Sequence, residues 1–362
     1  MKHLLPLLLL AAAPSALMAQ DLPAPQFMDD FELTSGLSIG GVGLGGLSDL
    51  SYDAKTGTFV AISDDKGEFG PVRFYTLGLT LADGKFKGLD IKSMHELMAP
   101  GGAHFDQKGA DPEGIALDPA HDRMFWSSER DEENAPAIYV AKMDGTDSHK
   151  LDLPAAFLPD ASGHHGVYEN LGHEGLTLSG DGKMLVAATE NALQQDGPKA
   201  TLEAGSPARL LTFDLETLKP GAQYLYEVDK IPAAPPKAGD WADNGISAMA
   251  ALPDGRYVVL ERSWTKGVGD NIRAYLVSLD GATDVSGQDK LDLAKDTPVQ
   301  KTLWFQLDKD HNPFKVPVDN LEAIEFGPVI DGKQSLILEA DNNFSSHEVN
   351  QFAWFAVDLP HS

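Results

Sequence analysis

One unit recurs along the whole 362-residue chain and limits the folds that are possible. Each copy starts with Ser or Glu, continues as an alternating apolar run, turns, and returns as a second apolar run that ends in polar, mostly acidic residues. The five copies start at Ser48, Glu113, Glu174, Ser247 and Glu322. Strand-rich repeats of this size and near-even spacing are typical of the blades of a β-propeller.

Strand counting predicts the number of blades. Each interval between copies holds four runs of β-branched and aromatic residues bounded by Gly, Pro or Asp, which is the signal of a strand. The last copy has only three runs, ending at 352–357, and a run at 31–34 can supply the fourth, which closes the ring and removes a sheet edge. The sequence therefore predicts an all-β propeller of five four-stranded blades. Six blades are the alternative, since a long insertion could hide a degenerate blade.

The N-terminus has the pattern of a signal peptide. A basic start is followed by an apolar stretch and by small residues that end at Ala19, and the stretch is short for a membrane span. The chain has no Cys, so neither lipid attachment nor a disulfide is expected. We expect a signal peptide at 1–19, a periplasmic or secreted location, no membrane insertion after cleavage, and one monomeric propeller domain at 20–362.

The formal net charge of −27 limits the possible partners. Nucleic acid and anionic membranes are excluded as expected partners, because both require a cationic surface. One interpretation of the charge is a solvated surface that resists aggregation. The other is that part of the acidic excess holds divalent cations, since Ca²⁺ is bound by carboxylate and carbonyl oxygens. An anionic substrate would need such a cation as a bridge.

The five repeat starts should form a ring, because the first strand of every propeller blade lines the central channel. Three carboxylates and two hydroxyls would then meet at one mouth, and the carboxylates cannot all ionise there without a cation or a raised pKa. This predicts either a general acid/base or a Ca²⁺ site held by Glu113, Glu174 and Glu322 with Asp111 or Asn320. The alternative is structural: such Glu residues could hydrogen-bond the backbone of neighbouring blades.

The second strands end in another polar set that includes Arg130 and Arg262. A guanidinium can hold a phosphate or carboxylate through two hydrogen bonds, but both residues could equally pair with a Glu of the adjacent blade. His173, directly before Glu174, is a candidate base or a surface residue. No pair of His has zinc-helix spacing, and no nucleophile-elbow motif is present.

Four motifs resemble the phytase-like family known as esterase-like activity of phytase. They are DPEGI at 111–115, GHEGLTLSGDG at 172–182, VVLER at 258–262 and DNLEAI at 319–324. The resemblance runs from about residue 45 to 359. It implies a secreted propeller whose Glu and Asp residues carry phosphoric-ester or related hydrolase activity, and it points to Glu113, Glu174 and Glu322 and to the acid–Arg pairs at 129–130 and 261–262. The serines at 48 and 247 depart from a complete Glu ring. The sequence NGI at 244–246 is similar to calcium-dependent lactonase propellers.

These observations predict an exported, Ca²⁺-dependent hydrolase of an ester, most plausibly a phosphoester, of a small anionic molecule. The expected catalytic residues are Glu174, Glu113 and His173, and the expected substrate-binding residues are Arg130, Arg262, Asn244 and Ser247. The alternatives are a non-catalytic periplasmic binding or scaffold propeller and a lactonase-like carboxylester hydrolase, because one fold hosts many functions.

Overall fold

The structure is a computed structural model that describes residues 22–34, 36–345 and 347–359. The predicted signal peptide at 1–19 lies outside these residues. The described chain forms five four-stranded antiparallel sheets arranged as a ring, and this five-bladed β-propeller confirms the predicted fold class and blade number.

The described chain starts with a strand that belongs to the last blade and with a small hairpin, and four blades of consecutive strands follow. The opening elements are β1 (Gln26–Glu32), β2 (Ser38–Ile39) and β3 (Val42–Gly43). Blade 1 contains β4 (Leu47–Asp53), β5 (Thr58–Ser63), β6 (Arg73–Ala82) and β7 (Lys85–Glu96). Blade 2 contains β8 (Ala110–Asp118), β9 (Arg123–Asp131), β10 (Ala137–Lys142) and β11 (His149–Lys150). Blade 3 contains β12 (His173–Leu178), β13 (Met184–Ala192), β14 (Ser206–Asp214) and β15 (Pro220–Val228). Blade 4 contains β16 (Gly245–Ala251), β17 (Tyr257–Thr265), β18 (Gly269–Ser278) and β19 (Gln300–Leu307).

Blade 5 closes the ring by combining both ends of the chain. It contains β20 (Leu321–Ile330), β21 (Lys333–Ala340) and β22 (Gln351–Val357), with β1 paired antiparallel to β22 as the outermost strand. The predicted closure is therefore confirmed, although the strand covers 26–32 rather than 31–34. The charged residue Asp29 interrupts the apolar pattern there, and its carboxylate accepts hydrogen bonds from Lys85 Nζ and the Phe86 amide of blade 1.

The hydrophobic core contains six apolar clusters, of which five lie one at each interface between adjacent blades and the sixth packs Val285 and Leu291 on Leu225 of blade 3. The interface of blades 2 and 3, for example, buries Phe125 and Ile138 against Leu185 and Phe213. Equivalent clusters lie between blades 1 and 2, 3 and 4, 4 and 5, and 5 and 1. The innermost strands β4, β8, β12, β16 and β20 also contact one another around the ring. Burial of apolar surface at every interface holds the ring closed.

The long insertion between β18 and β19 does not form a sixth blade. Its backbone pairs instead with the outer strand of blade 3, where the Val285 and Val299 amides donate to the carbonyls of Gln223 and Leu225. The insertion therefore covers the sheet edge of blade 3. Among the described residues the structure contains one short 3-10 helix, at Ala155–Phe157, and no helix long and apolar enough to cross a membrane.

Candidate functional site

The five repeat starts occupy the same position of the fold, a β-bulge near the beginning of the innermost strand. The register against the second strand shifts around each of them, between Leu47 and Asp49, Pro112 and Ile115, His173 and Gly175, Ile246 and Ala248, and Leu321 and Ala323. A bulge adds a residue to one strand and redirects its side chain. In the first two blades the Ser48 hydroxyl donates to Glu113 Oε2 at 2.7 Å.

Equivalent residues near the ends of the five second strands form another ring of side chains, which we call the second ring. In blade 3, His173 pairs with Thr189, and Glu190 is the residue that follows Thr189. In blade 4, Ile246 pairs with Glu261 in the same way, so Arg262 occupies the position that Glu190 occupies in blade 3. By the same register, the ring positions in blade order are occupied by Asp64, Glu129, Glu190, Arg262 and Asp341.

The equivalence of 129–130 with 261–262 read from the sequence therefore differs from the structure by one residue. Glu261 lies in the blade interior, where it accepts hydrogen bonds from Tyr226 Oη at 3.0 Å and from Asn244 Nδ2 at 3.1 Å. Arg262, not Glu261, belongs to the ring.

The mouth has two unlike halves. We call the part built by blades 1 to 3 the acid half, defined by Asp64, Asp111, Glu113, Glu129, Glu174 and Glu190. We call the part built by blades 4 and 5 the arginine half, defined by Arg262 with Asp243, Asp270, Asp319, Glu322 and Glu348. All residues of the arginine half except Glu322 line a polar cavity of about 190 Å³.

Two overlapping carboxylate triads form the centre of the acid half. One consists of Asp111, Glu113 and Glu129 and the other of Glu129, Glu174 and Glu190, and in each triad the oxygens lie within 4.8 Å of one another. Glu129 is common to both. This proximity of carboxylates is unfavourable unless protons or a cation neutralise them.

The pKa values reflect this crowding. Burial, reinforced by Asp111, raises the pKa of Glu129 to about 7. Burial also raises the pKa of Glu190 to about 8 although Arg262 opposes the shift. For Glu113 and Glu174, burial and the neighbouring carboxylates raise the pKa well above the usual range. The acid half therefore retains protons near neutral pH unless a cation replaces them.

Glycines make room for these acids. A Cβ added to Gly172 would lie 2.7 Å from Glu129 Cα, and one added to Gly245 would lie 2.5 Å from Glu190 Oε1. The Gly172 amide also donates to Glu129 Oε1 at 3.2 Å. Each glycine thus allows the acid of the preceding blade to approach the channel.

Two cations border the acid half at a single carboxylate. Lys66 Nζ lies 2.9 Å and Arg130 2.7 Å from Asp111 Oδ2. Arg130 also donates to Asn170 Oδ1, and its Nη2 atom lies 3.9 Å from Glu129 Oε2. In the second triad this 3.9 Å contact involves Glu129, and no Lys or Arg lies within 4.0 Å of Glu174 or Glu190 among the described residues.

The arginine half carries its own counter-ion. Arg262 Nε lies 3.2 Å from Glu322 Oε1. Burial opposes the charge of Arg262, but Glu322, Asp243 and Glu190 together raise the pKa of the guanidinium. Burial raises the pKa of Asp270 to about 7 despite Arg262. For Glu322, burial raises the pKa while Arg262 and a hydrogen bond with Asn320 lower it.

The donor set of the acid half fits a hard cation such as Ca²⁺. Its ligands are carboxylate oxygens, and the chain has no thiol. Asp64 Oδ1 and Asp111 Oδ1 are buried oxygens without a hydrogen-bond partner in the described structure. A buried oxygen of this kind is costly unless a cation or proton satisfies it.

The structure places the sequence-predicted ligands in both halves. Asp111, Glu113 and Glu174 lie in the triads, whereas Glu322 and Asn320 lie beside Arg262. Glu129 and Glu190 were not among the predicted ligands. Their signal was available, since both lie near the end of a second strand at the same place in the repeat.

The remaining predicted residues have other surroundings. His173 is fully buried and stacks on Phe157 at 5.3 Å, its ring nitrogens have no hydrogen-bond partner among the described residues, and burial lowers its pKa to about 4. Asn244 Nδ2 donates to the Asp229 carbonyl and to Glu261, which ties it to the blade interior. The Ser247 hydroxyl is buried without a described partner. These contacts give His173 no hydrogen-bonding link to the triads.

Comparisons with known proteins found a secreted relative and distantly similar solved structures. An uncharacterized secreted protein of Arthroderma benhamiae is 28% identical over 238 residues, which cover 53% of this chain and 45% of that protein. The matched region thus spans less than half of that relative. Among solved structures, a chain of a nidogen/laminin complex is 11% identical with a TM-score of 0.38, covering 91% of this chain and 92% of that one. A hypothetical protein from Leishmania major is 10% identical with a TM-score of 0.39, covering 92% and 91%.

The comparison with family models covers most of the chain. The model of the family Phytase-like, described as esterase-like activity of phytase, matches residues 42–344. That range contains all five bulge positions and all five residues of the second ring. The chain therefore belongs to the phytase-like family.

Proposed function

We propose that this protein is an exported, Ca²⁺-dependent hydrolase that cleaves a phosphoester of a small anionic molecule in the acid half of the channel mouth. The family is of hydrolase type by its description, and the matched relative is named as a secreted protein. The observation that carries the proposal is the pair of triads that share Glu129. We further propose that the protein acts as a monomer.

Asp111, Glu113, Glu129 and Glu174 would hold the ion, because their oxygens converge in the two triads. Bound Ca²⁺ would polarise the ester oxygen and lower the pKa of a water molecule. The four side chains come from strands β8, β9 and β12 of two rigid blades. Ligands fixed on strands need little reorganisation when the ion binds.

Glu190 is the proposed general base. Burial raises its pKa to about 8 in the Ca²⁺-free protein, and a bound cation nearby would bring that pKa down toward a neutral working pH, where a base accepts and releases protons most effectively. Its oxygen also lies within 4.8 Å of those of Glu129 and Glu174. The sequence suggested His173 for this role, but that imidazole packs on Phe157 instead.

Arg130 is the proposed anchor for the substrate anion. Its side chain is about one quarter exposed, and it lines the cavity next to Glu129. A guanidinium can hold a phosphoryl oxygen while it keeps one carboxylate partner, because it presents five N–H donors. Arg262 is less available, since its charge is shared by the acids of the arginine half.

The proposal is tested by assaying protein without residues 1–19 against phosphomonoesters, phosphodiesters, carboxylesters and lactones. Each assay is run with Ca²⁺ and with a chelator. We expect phosphoester hydrolysis that requires Ca²⁺. Activity confined to lactones would favour the lactonase-like alternative. Absence of hydrolysis together with a Ca²⁺-independent melting temperature would favour a scaffold.

A further inference from the structure

A cavity of about 350 Å³ opens beside the acid half. Two of its lining residues, Glu129 and Arg130, also belong to the mouth, since Glu129 is shared by the triads and Arg130 binds Asp111. The rest of the lining consists of Asn134, Pro159, Val167, Tyr168, Glu169, Asn170 and Gln194. The volume is at the lower end of the range for small-molecule sites.

The wall of the cavity is held by hydrogen bonds to a neighbouring segment. Gln194 Nε2 donates to the carbonyls of His165 and Val167 at 3.2 and 3.0 Å. The Tyr168 hydroxyl donates to the Gly197 carbonyl at 2.9 Å. The wall is therefore formed before any ligand binds, which lowers the entropy cost of binding.

The lining favours an uncharged group with a ring. Because its hydroxyl is already bound, Tyr168 offers a ligand mainly its aromatic ring, and Pro159 adds an apolar surface. The Asn134 amide and the Gln194 Oε1 oxygen supply hydrogen-bonding groups at the same cavity, since Gln194 Nε2 already donates to the wall. Aromatic rings prefer stacked or edge-on contacts with other rings.

Charge excludes a ligand with many negative groups. Among the described residues that line the cavity, Arg130 is the only cation, and it is already bound to Asp111 at 2.7 Å. Lys199 lies outside the lining, with its Nζ 5.4 Å from the centre of the Tyr168 ring. Glu129 and Glu169 place negative charge on the same lining. A polyphosphorylated molecule would meet repulsion here, whereas a single phosphoryl group can lie at Arg130.

We propose that this cavity binds the alcohol portion of the ester. The substrate is then a phosphate ester of a compact, ring-bearing alcohol that carries a single phosphoryl group and no other charge. The proposal rests on the proposed function for the position of the phosphoryl group, beside Arg130 and Glu129. The ring then lies against Tyr168 and Pro159.

Phenylphosphonate and methylphosphonate test the cavity without turnover, because their carbon–phosphorus bond replaces the ester. Calorimetric titration in the presence of Ca²⁺ should show phenylphosphonate binding about tenfold more tightly. Tyr168→Ala should reduce this preference to less than about threefold, and Tyr168→Phe should retain it, because the ring contributes the contact. Trp241→Ala is the matched control, since Trp241 is an exposed aromatic residue that is not part of this lining.

Pro159→Glu is a second variant at an exposed rim position, in case Tyr168→Ala fails to fold. Replacing the apolar Pro159 surface with a charged side chain should weaken the preference, because the phenyl ring loses that contact whereas the phosphonate charge is the same in both probes. Equal affinity of the two phosphonates, no binding of either, or an unchanged preference in Tyr168→Ala or Pro159→Glu would overturn the proposal.

Hydrolysis distinguishes this proposal from the function on which it rests. Turnover of phenyl and methyl phosphate with equal kcat/KM would overturn the cavity assignment and keep the hydrolase. A phenyl preference in binding without any Ca²⁺-dependent hydrolysis would reject the hydrolase and keep the cavity assignment.

Discussion

The two halves of the channel mouth solve the same electrostatic problem differently. In the arginine half, Arg262 lies 3.2 Å from Glu322 and is close to Asp243. In the acid half, the equivalent positions hold Glu129 and Glu190, and the two triads they join contain only carboxylates. In the arginine half, the covalently attached cation lies among the ring acids themselves. In the acid half, Lys66 and Arg130 both pair with Asp111, so the remaining carboxylates of the triads depend mainly on protons or a bound ion.

The comparison shows that the repeat alone does not define a metal site. All five bulges present polar residues to the channel, but the identity of the second-ring residue decides what each neighbourhood can bind. A guanidinium there substitutes for an ion. The proposed Ca²⁺ site therefore belongs to blades 2 and 3 rather than to the whole ring.

The largest effect should follow from removing the internal cation. Arg262→Met leaves Glu322 and Asp243 without their counter-ion, and we expect a loss of about 3–5 kcal/mol in the free energy of unfolding at pH 8 without Ca²⁺. Urea denaturation measures this. Arg130→Met is the matched control and should cost less than about 1 kcal/mol, because Lys66 still binds Asp111 after the change. Equal losses in the two variants would contradict the distinction between the halves.

Ca²⁺ should stabilise the protein by roughly 3 kcal/mol at a hundredfold excess over the dissociation constant, and the effect should grow with pH. In the folded, Ca²⁺-free protein the pKa values of Glu129 and Glu190 are raised to about 7 and 8, so the folded state binds more protons than the unfolded chain above about pH 4.5. The contribution of these two groups is therefore fully present at low pH and falls as pH rises through 7 to 8.

Ca²⁺ displaces those protons, so its stabilising effect should increase between pH 5 and pH 8. Melting temperatures measured at several pH values with Ca²⁺ and with chelator test this. A Ca²⁺-induced shift that is independent of pH would mean that the ion binds elsewhere.

Neutralising one acid in each half should separate their roles. Glu129→Gln removes the carboxylate shared by both triads, so it should lower Ca²⁺ affinity and hydrolysis by more than about a hundredfold, at or beyond the upper end of effects known for residues around a metal ligand. Glu322→Gln keeps both triads and should retain most of the Ca²⁺ response. Calorimetry and initial rates on the two variants give the comparison. A greater loss in Glu322→Gln would move the ion to the arginine half.

Much of the fold could be predicted because strand periodicity is local. The alternating runs located all five inner strands, and the acids Asp29 and Asp30 explain why the position of the closing strand was predicted about five residues late. Glu113 and Glu174 lie at the mouth, where their place in the repeat predicted them. The bulges that hold them there are visible only in the pairing of the neighbouring residues in the structure.

The site was less predictable because it depends on register between strands. A shift of one residue places Arg262 rather than Glu261 in the second ring. This shift follows from the turn between the first two strands, which is one residue shorter in blade 4, where Ala251 pairs with Tyr257, than in blade 3, where Leu178 pairs with Leu185. Glu129 was recognisable as acidic but not as the residue common to two triads, since that requires the distances between blades. The burial of His173 against Phe157 likewise depends on the packing of the 3-10 helix at Ala155–Phe157.

The smallest expected effect concerns the two serines of the inner ring, one in each half. Ser48 Oγ donates to Glu113 Oε2 at 2.7 Å, whereas Ser247 Oγ has no hydrogen-bond partner among the described residues. Loss of the Ser48 hydrogen bond removes a group that orients Glu113 and favours its ionised form, at about 0.5–1.5 kcal/mol. Ser48→Ala should therefore weaken Ca²⁺ binding by about twofold to tenfold. Ser247→Ala removes no described hydrogen bond and should change neither Ca²⁺ affinity nor stability by more than about 0.5 kcal/mol. Calorimetric titration and urea denaturation of both variants measure these differences. If Ser247→Ala weakened Ca²⁺ binding as much as Ser48→Ala, the ion would contact both halves and the division of the mouth would fail.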